Sequence, residues 1–110
     1  MSDANPEITP HDAAERPDDT VLIDVREHDE WAAGHAPNAT HIPLGTLAAD
    51  SVPAGASVMC VCRSGGRSTK ATTMLRDAGI NAANVTGGMT AWSDAGLPVI
   101  RDDDQPGAVI

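Results

Sequence analysis

Ser57-Val58-Met59-Cys60-Val61-Cys62-Arg63-Ser64-Gly65-Gly66-Arg67-Ser68 carries an apolar run straight into a glycine-rich, basic loop. Ser57 to Val61 has the composition of a short strand buried on both faces. From Gly66 to Ala78 the pattern changes period: Ala71, Met74, Leu75 and Ala78 fall at helical spacing on one face. Gly79 and Ile80 then close that helix as a glycine cap followed by an apolar residue. Strand, tight loop and helix in that order form half of a βα unit, and the rest of the chain repeats the theme.

Upstream, Val21 to Val25 is a second buried strand interrupted by Asp24, and Ala39 to Ile42 a weaker one ended by Pro43. Glu27 to Ala33 reads as a helix stopped by Gly34, and Gly45 to Asp50 as another short helix. Nearest the N-terminus, Ile8-Thr9 is a short strand, then a helix with Thr9 as its cap and Pro10 in its first position. Downstream, Asn84 to Thr86 is a strand closed by Gly87-Gly88, and a helix carrying Met89 and Trp92 ends at Gly96-Leu97. Alternating strands and helices predict an α/β fold: a mostly parallel sheet of about five strands with helices on both faces. In such sheets the reactive crevice lies at the carboxyl ends of the strands. Asp24-Val25-Arg26, the Cys62 loop and Gly87-Gly88 all fall at such ends, so they are expected to share one edge. The chain divides into a polar segment (1–7), one domain (8–100) and an acidic tail (101–110) expected to be mobile.

The 110 residues carry a formal net charge of −9, with 16 acidic residues against seven basic ones, of which only Lys70 is a lysine. That surface repels nucleic acid and anionic membranes, and no apolar run is long enough to span a bilayer. The N-terminus is acidic and polar, unlike a secretory signal. Cys60 and Cys62 are too close in sequence to staple anything, so a cytoplasmic setting with free thiols is expected. Cys60 and Cys62 with His35 or His41 do not make a usual metal-ligand spacing. The histidines read as packing or solvated groups, and nothing places an imidazole beside Cys62.

Each part of the loop favours a thiolate. The glycines let the backbone curl so that N–H groups point inward, and the helix start brings the positive end of its dipole. Arg63 and Arg67 add charge, while the Ser64 and Ser68 hydroxyls can donate to a bound anion or cap the helix. A thiol there ionises below its free value of about 8.5. Cys60, inside the strand, reads as a core residue. Asp24 reads as a supporting residue that holds the loop or Arg26 in place.

The loop resembles the active-site loop of the rhodanese sulfurtransferases, and the likeness extends along the chain. Asp24-Val25-Arg26-Glu27 is similar to the family's first signature, with Trp31 at the usual place in the following helix. Gly34-His35-Ala36-Pro37-Asn38-Ala39 and His41-Ile42-Pro43 follow its second, with Ala36 and Asn38 in place of the usual Ile and Gly. Gly87-Gly88-Met89-Thr90-Ala91-Trp92 matches its close. The resemblance implies sulfur transfer through a persulfide on Cys62, with Arg63, Ser64, Gly65, Gly66, Arg67 and Ser68 binding substrate and Asp24 and Arg26 in support. It implies no cofactor or metal. The partners it implies are a small-molecule sulfur donor such as thiosulfate, a thiol or cyanide acceptor and a sulfur-relay protein. Two alternatives share the fold. One is a cysteine phosphatase or arsenate reductase, whose loop is one residue longer; here four residues separate Cys62 from Arg67. The other is a binding module without activity, which commonly lacks the cysteine.

Overall fold

Residues 5–110 are described by a computed structural model, so residues 1–4 of the polar N-terminal segment lie outside the described residues. The two most apolar runs pair at the centre of the sheet: β2 (Thr20–Asp24) lies parallel to β4 (Ser57–Val61), from Thr20 opposite Ser57 to Asp24 opposite Val61. With β1 (Glu7–Ile8), β3 (Thr40–His41) and β5 (Ala82–Val85) they form one five-stranded sheet in the order β1-β5-β4-β2-β3. Every pairing is parallel. The fold is therefore the α/β fold anticipated, with β4 in the middle and Cys62 at its carboxyl end.

Alternation along the strands divides the interior into two cores. Ile23, Val25, Val58, Cys60 and Cys62 face one side, where Ala71 and Leu75 of α3 (Gly66–Asp77) cover them with Leu47 and Val52. Leu22, Val61 and Val85 face the other, against Ala13 of α1 (Pro10–Ala14) and Met89 and Trp92 of α4 (Gly88–Asp94). Helix α2 (His28–Ala33) buries no residue fully and lies beside the site edge. Local signals behave as their chemistry dictates. The Thr9 side chain accepts from Asp12 N at the start of α1, with Pro10 in the first turn. Past α3, Ile80 N donates to Leu75 O, and past α4, Leu97 N donates to Trp92 O. Asn38, where the family uses glycine, has φ 62°, a conformation asparagine tolerates better than most residues.

Two expectations need correction. The helix over Gly45–Asp50 is replaced by two separate 3₁₀ turns, Leu44–Thr46 and Ala49–Ser51. Leu44 N is bonded to Val25 O, and Leu47 turns inward between the turns, so the backbone follows the sheet edge and the core rather than a helical path. The tail is also docked, in contrast to the mobile segment that its charge suggested. Ile100 bridges His35 and Pro106, Gly107 N donates to Val99 O, Ala108 N donates to Ala33 O, and Val109 packs on the second core. Residues 101–106, Ala108 and Ile110 stay exposed, while the backbone of that turn supplies its own pairing, Arg101 N donating to Gln105 O and Asp104 N to Arg101 O.

Candidate active site

The register of β2 against β4 sets Asp24 beside Val61, and Val25 N continues the ladder to Val61 O. Beyond that point the chain turns through residues 62–65 into α3. Gly65 holds φ 121°, which a side chain would resist. It also occupies the N-cap position, so neither serine hydroxyl caps the helix. The third segment closes over the loop from α4. Met89 N donates to Cys62 O at 2.7 Å and Thr90 N to Arg63 O at 2.9 Å. A Cβ on Gly88, at φ 62°, would lie 2.5 Å from Cys62 O, so only glycine permits this approach. All three segments meet at one edge.

Cys62 is 1% exposed, with its Sγ at the centre of the turn. Gly65 N donates to Sγ at 3.0 Å and Ser68 Oγ lies 3.3 Å away. Ser68 Oγ is also 3.2 Å from Gly65 O; its single proton can serve only one acceptor, and a charged sulfur is the stronger one. Burial pushes the Cys62 thiol up. The Ser68 hydroxyl and the backbone N–H groups of Ser68, Gly65 and Ser64 outweigh it, and the thiol rests below its ordinary value. Cys60 is fully buried, and burial raises its thiol to about 11, outweighing the one hydroxyl, that of Thr72, which bonds to it.

The cations are placed less simply. Arg63 and Ser64 are exposed at the mouth. Arg26 is wholly buried: its guanidinium grips both oxygens of Asp24 and donates to Gly34 O at 2.7 Å, while Nη1 has no partner among the described residues. That pair is a strut. Losing either member of such a buried pair costs about 3–5 kcal/mol, because the other charge is left uncompensated. Arg67 is bound bidentately by Glu30 of α2, at 2.6 and 2.9 Å. The guanidinium holds the Glu30 carboxyl down to about 2, and Arg67 is in turn held more firmly protonated. Glu30 is the site residue that the sequence did not suggest. An acid in the first turn of a helix reads as a dipole or capping group, and its partner is 37 residues away.

Beside Glu30, Trp31 stacks on His35 at 3.6 Å and lies nearly parallel to His41 at 4.8 Å. His41 Nε2 is 2.8 Å from Arg26 O and His35 Nδ1 is 2.8 Å from Trp31 O, so both rings act in packing. Among the described residues no group of three or more acidic, histidine or cysteine side chains could hold a metal ion. Among the same described residues no helix is long and apolar enough to cross a membrane.

Comparison with known proteins agrees with this geometry. The rhodanese-like domain family matches residues 9–95. A protein named sulfurtransferase from Allochromatium vinosum is 34% identical over 89 residues, covering 78% of this chain and 83% of the relative. An uncharacterised Synechocystis protein is 35% identical over 92 residues, covering 81% of the chain, which spans 51% of that relative's length. Among solved structures, a rhodanese-related protein of Thermoplasma volcanium superposes with a TM-score of 0.80 at 29% identity, covering 86% of this chain and 97% of its own. The chain belongs to the rhodanese-like family, and the relatives it matches include a protein named sulfurtransferase.

Proposed function

We propose that this chain moves sulfane sulfur from a donor such as thiosulfate to a thiophilic acceptor, cyanide or a thiol, through a persulfide on Cys62. The observation that carries this reading is the Cys62 sulfur itself, held by Gly65 N and Ser68 Oγ with its thiol lowered despite burial. The thiolate attacks the outer sulfur of thiosulfate. A bond forms between the two sulfurs, the bond to the sulfonate sulfur breaks, and its electron pair leaves with sulfite. The outer sulfur stays on Cys62 as a persulfide anion, within reach of the same backbone donors. Cyanide or a thiolate then attacks that outer sulfur and Cys62 leaves as thiolate, which completes a ping-pong cycle on one nucleophile. With Cys62 only 1% exposed, a donor reaches the sulfur by displacing the loop or its side chains. The intermediate is shielded from solvent by the same contacts.

The test is direct. Protein incubated with thiosulfate and no acceptor should gain the mass of one sulfur atom, mapped to Cys62, and cyanide should remove it. Folded protein whose Cys62 alkylates but never takes sulfur from thiosulfate or a persulfide would overturn the reading in favour of a binding role.

A further inference from the structure

The loop contains two arginines, yet the structure leaves them unequal. Both terminal nitrogens of Arg67 are taken up by the two oxygens of Glu30. Glu30 is itself only 14% exposed, whereas Arg63 is exposed and forms no ion pair among the described residues. Arg26 is committed to Asp24 beneath the edge. The pairs Arg67–Glu30 and Arg26–Asp24 are each neutral overall, which leaves Arg63 as the cation of the loop with no ion pair among the described residues. A dianion entering that mouth, on a chain of net charge −9, meets little attraction.

We propose that Glu30 determines donor specificity. By holding Arg67 it withdraws one positive charge from the donor's reach and favours a sulfane donor of low charge, a small thiol persulfide R–S–SH, over dianionic thiosulfate. The inference rests on the sulfurtransferase reading and names the donor class for it. The step balances without any added reagent. Cys62 thiolate bonds to the outer sulfur of R–S–SH, the R–S–SH sulfur–sulfur bond breaks, and its pair leaves as the thiolate R–S⁻. The proton remains on the transferred sulfur. Glu30 touches no reacting atom; it acts through Arg67, whose charge also bears on the Cys62 thiolate.

The alternative role for Glu30 is a plain anchor of the loop to α2, and Glu30→Gln separates the two. Glutamine keeps the length and one acceptor but frees the charge of Arg67. If Glu30 sets specificity, kcat/KM for thiosulfate should rise about fivefold, mainly through KM, as expected for one freed surface charge. The value for the persulfide of 2-mercaptoethanol, whose thiol portion is uncharged, should change less than that, and the pH midpoint of Cys62 alkylation should move down. An anchor alone would give a fall for both donors together and no downward midpoint shift, which would overturn the proposal. Should Glu30→Gln not fold, the unmodified protein decides. Its kcat/KM for the persulfide of 2-mercaptoethanol should exceed that for thiosulfate, and the reverse order overturns the proposal. Failure of both donors to load Cys62 would instead remove the sulfurtransferase reading itself.

Discussion

Cys60 and Cys62 stand two residues apart and point to the same core, and what separates them is the number of donors, one hydroxyl against a hydroxyl and several backbone N–H groups. Cys62 gains Gly65 N and Ser68 Oγ because the chain turns at that point, whereas Cys60 is still inside the sheet. Cys62→Ser should abolish sulfur transfer with melting little changed. Cys60→Ala should keep most activity and lose roughly 1 kcal/mol of stability, the usual loss for one small buried group. Steady-state rates and urea melts of both variants check this, and loss of turnover in folded Cys60→Ala would indicate a two-thiol mechanism. Glu30 gives a second prediction. Its carboxyl titrates near 2 in the folded protein against an ordinary 4.5, so between these values the unfolded chain binds more protons. The contribution of the Glu30–Arg67 pair to stability is therefore complete above the upper value and is lost as pH falls toward the lower. Urea midpoints of wild type and Glu30→Gln should converge as pH drops through that window; a constant gap would contradict the assignment. The nucleophile was legible in the sequence because its activators are its neighbours. Glu30 was not, since its function depends on a residue brought near only by the fold.

Among the elements, the loop is clamped from two sides: α4 bonds to the carbonyls of Cys62 and Arg63, and α2 bonds to Arg67. Gly88 makes the first clamp possible. Gly88→Ala forces a methyl group against Cys62 O and puts alanine at positive φ, a strain of about 1–3 kcal/mol before the clash is counted. We expect a lower melting temperature together with a loss of turnover greater than the stability change explains; a stable, fully active variant would show that the α4 clamp is dispensable. Gly87-Gly88 was visible in the sequence as a turn at a strand end, and so was its convergence with the Cys62 loop. The segment 45–50 misled because short polar stretches take their path from what anchors them, here Leu44 N on Val25 O and Leu47 in the core. The tail misled for a related reason: charge reports where side chains go, and the backbone beneath Asp102 to Asp104 forms its own bridges.

At the scale of the whole molecule, that tail should act as a strap on the second core. Deleting residues 101–110 removes the Pro106 bridge, the Ala108 bond to Ala33 and the packing of Val109. The expected cost is about 1–3 kcal/mol for one side chain and a few exposed hydrogen bonds. Thermal melts should report it while kcat/KM for either donor holds within a factor of about two; an unchanged melt would mean that the strap contributes nothing. The placement of the two indoles has a further consequence, because Trp92 lies in the second core and Trp31 in neither. Trp92 is 2% exposed, bonded to Pro98 O, among Met89 and Val85. Trp31 lies at the site edge against two imidazoles. Light from Trp31 should therefore respond to changes at the site edge, such as Glu30→Gln beside it, while that of Trp92 stays constant until the chain melts. With Trp92→Phe and Trp31→Phe to assign the signals, the molecule carries two optical channels, one for the catalytic edge and one for the fold.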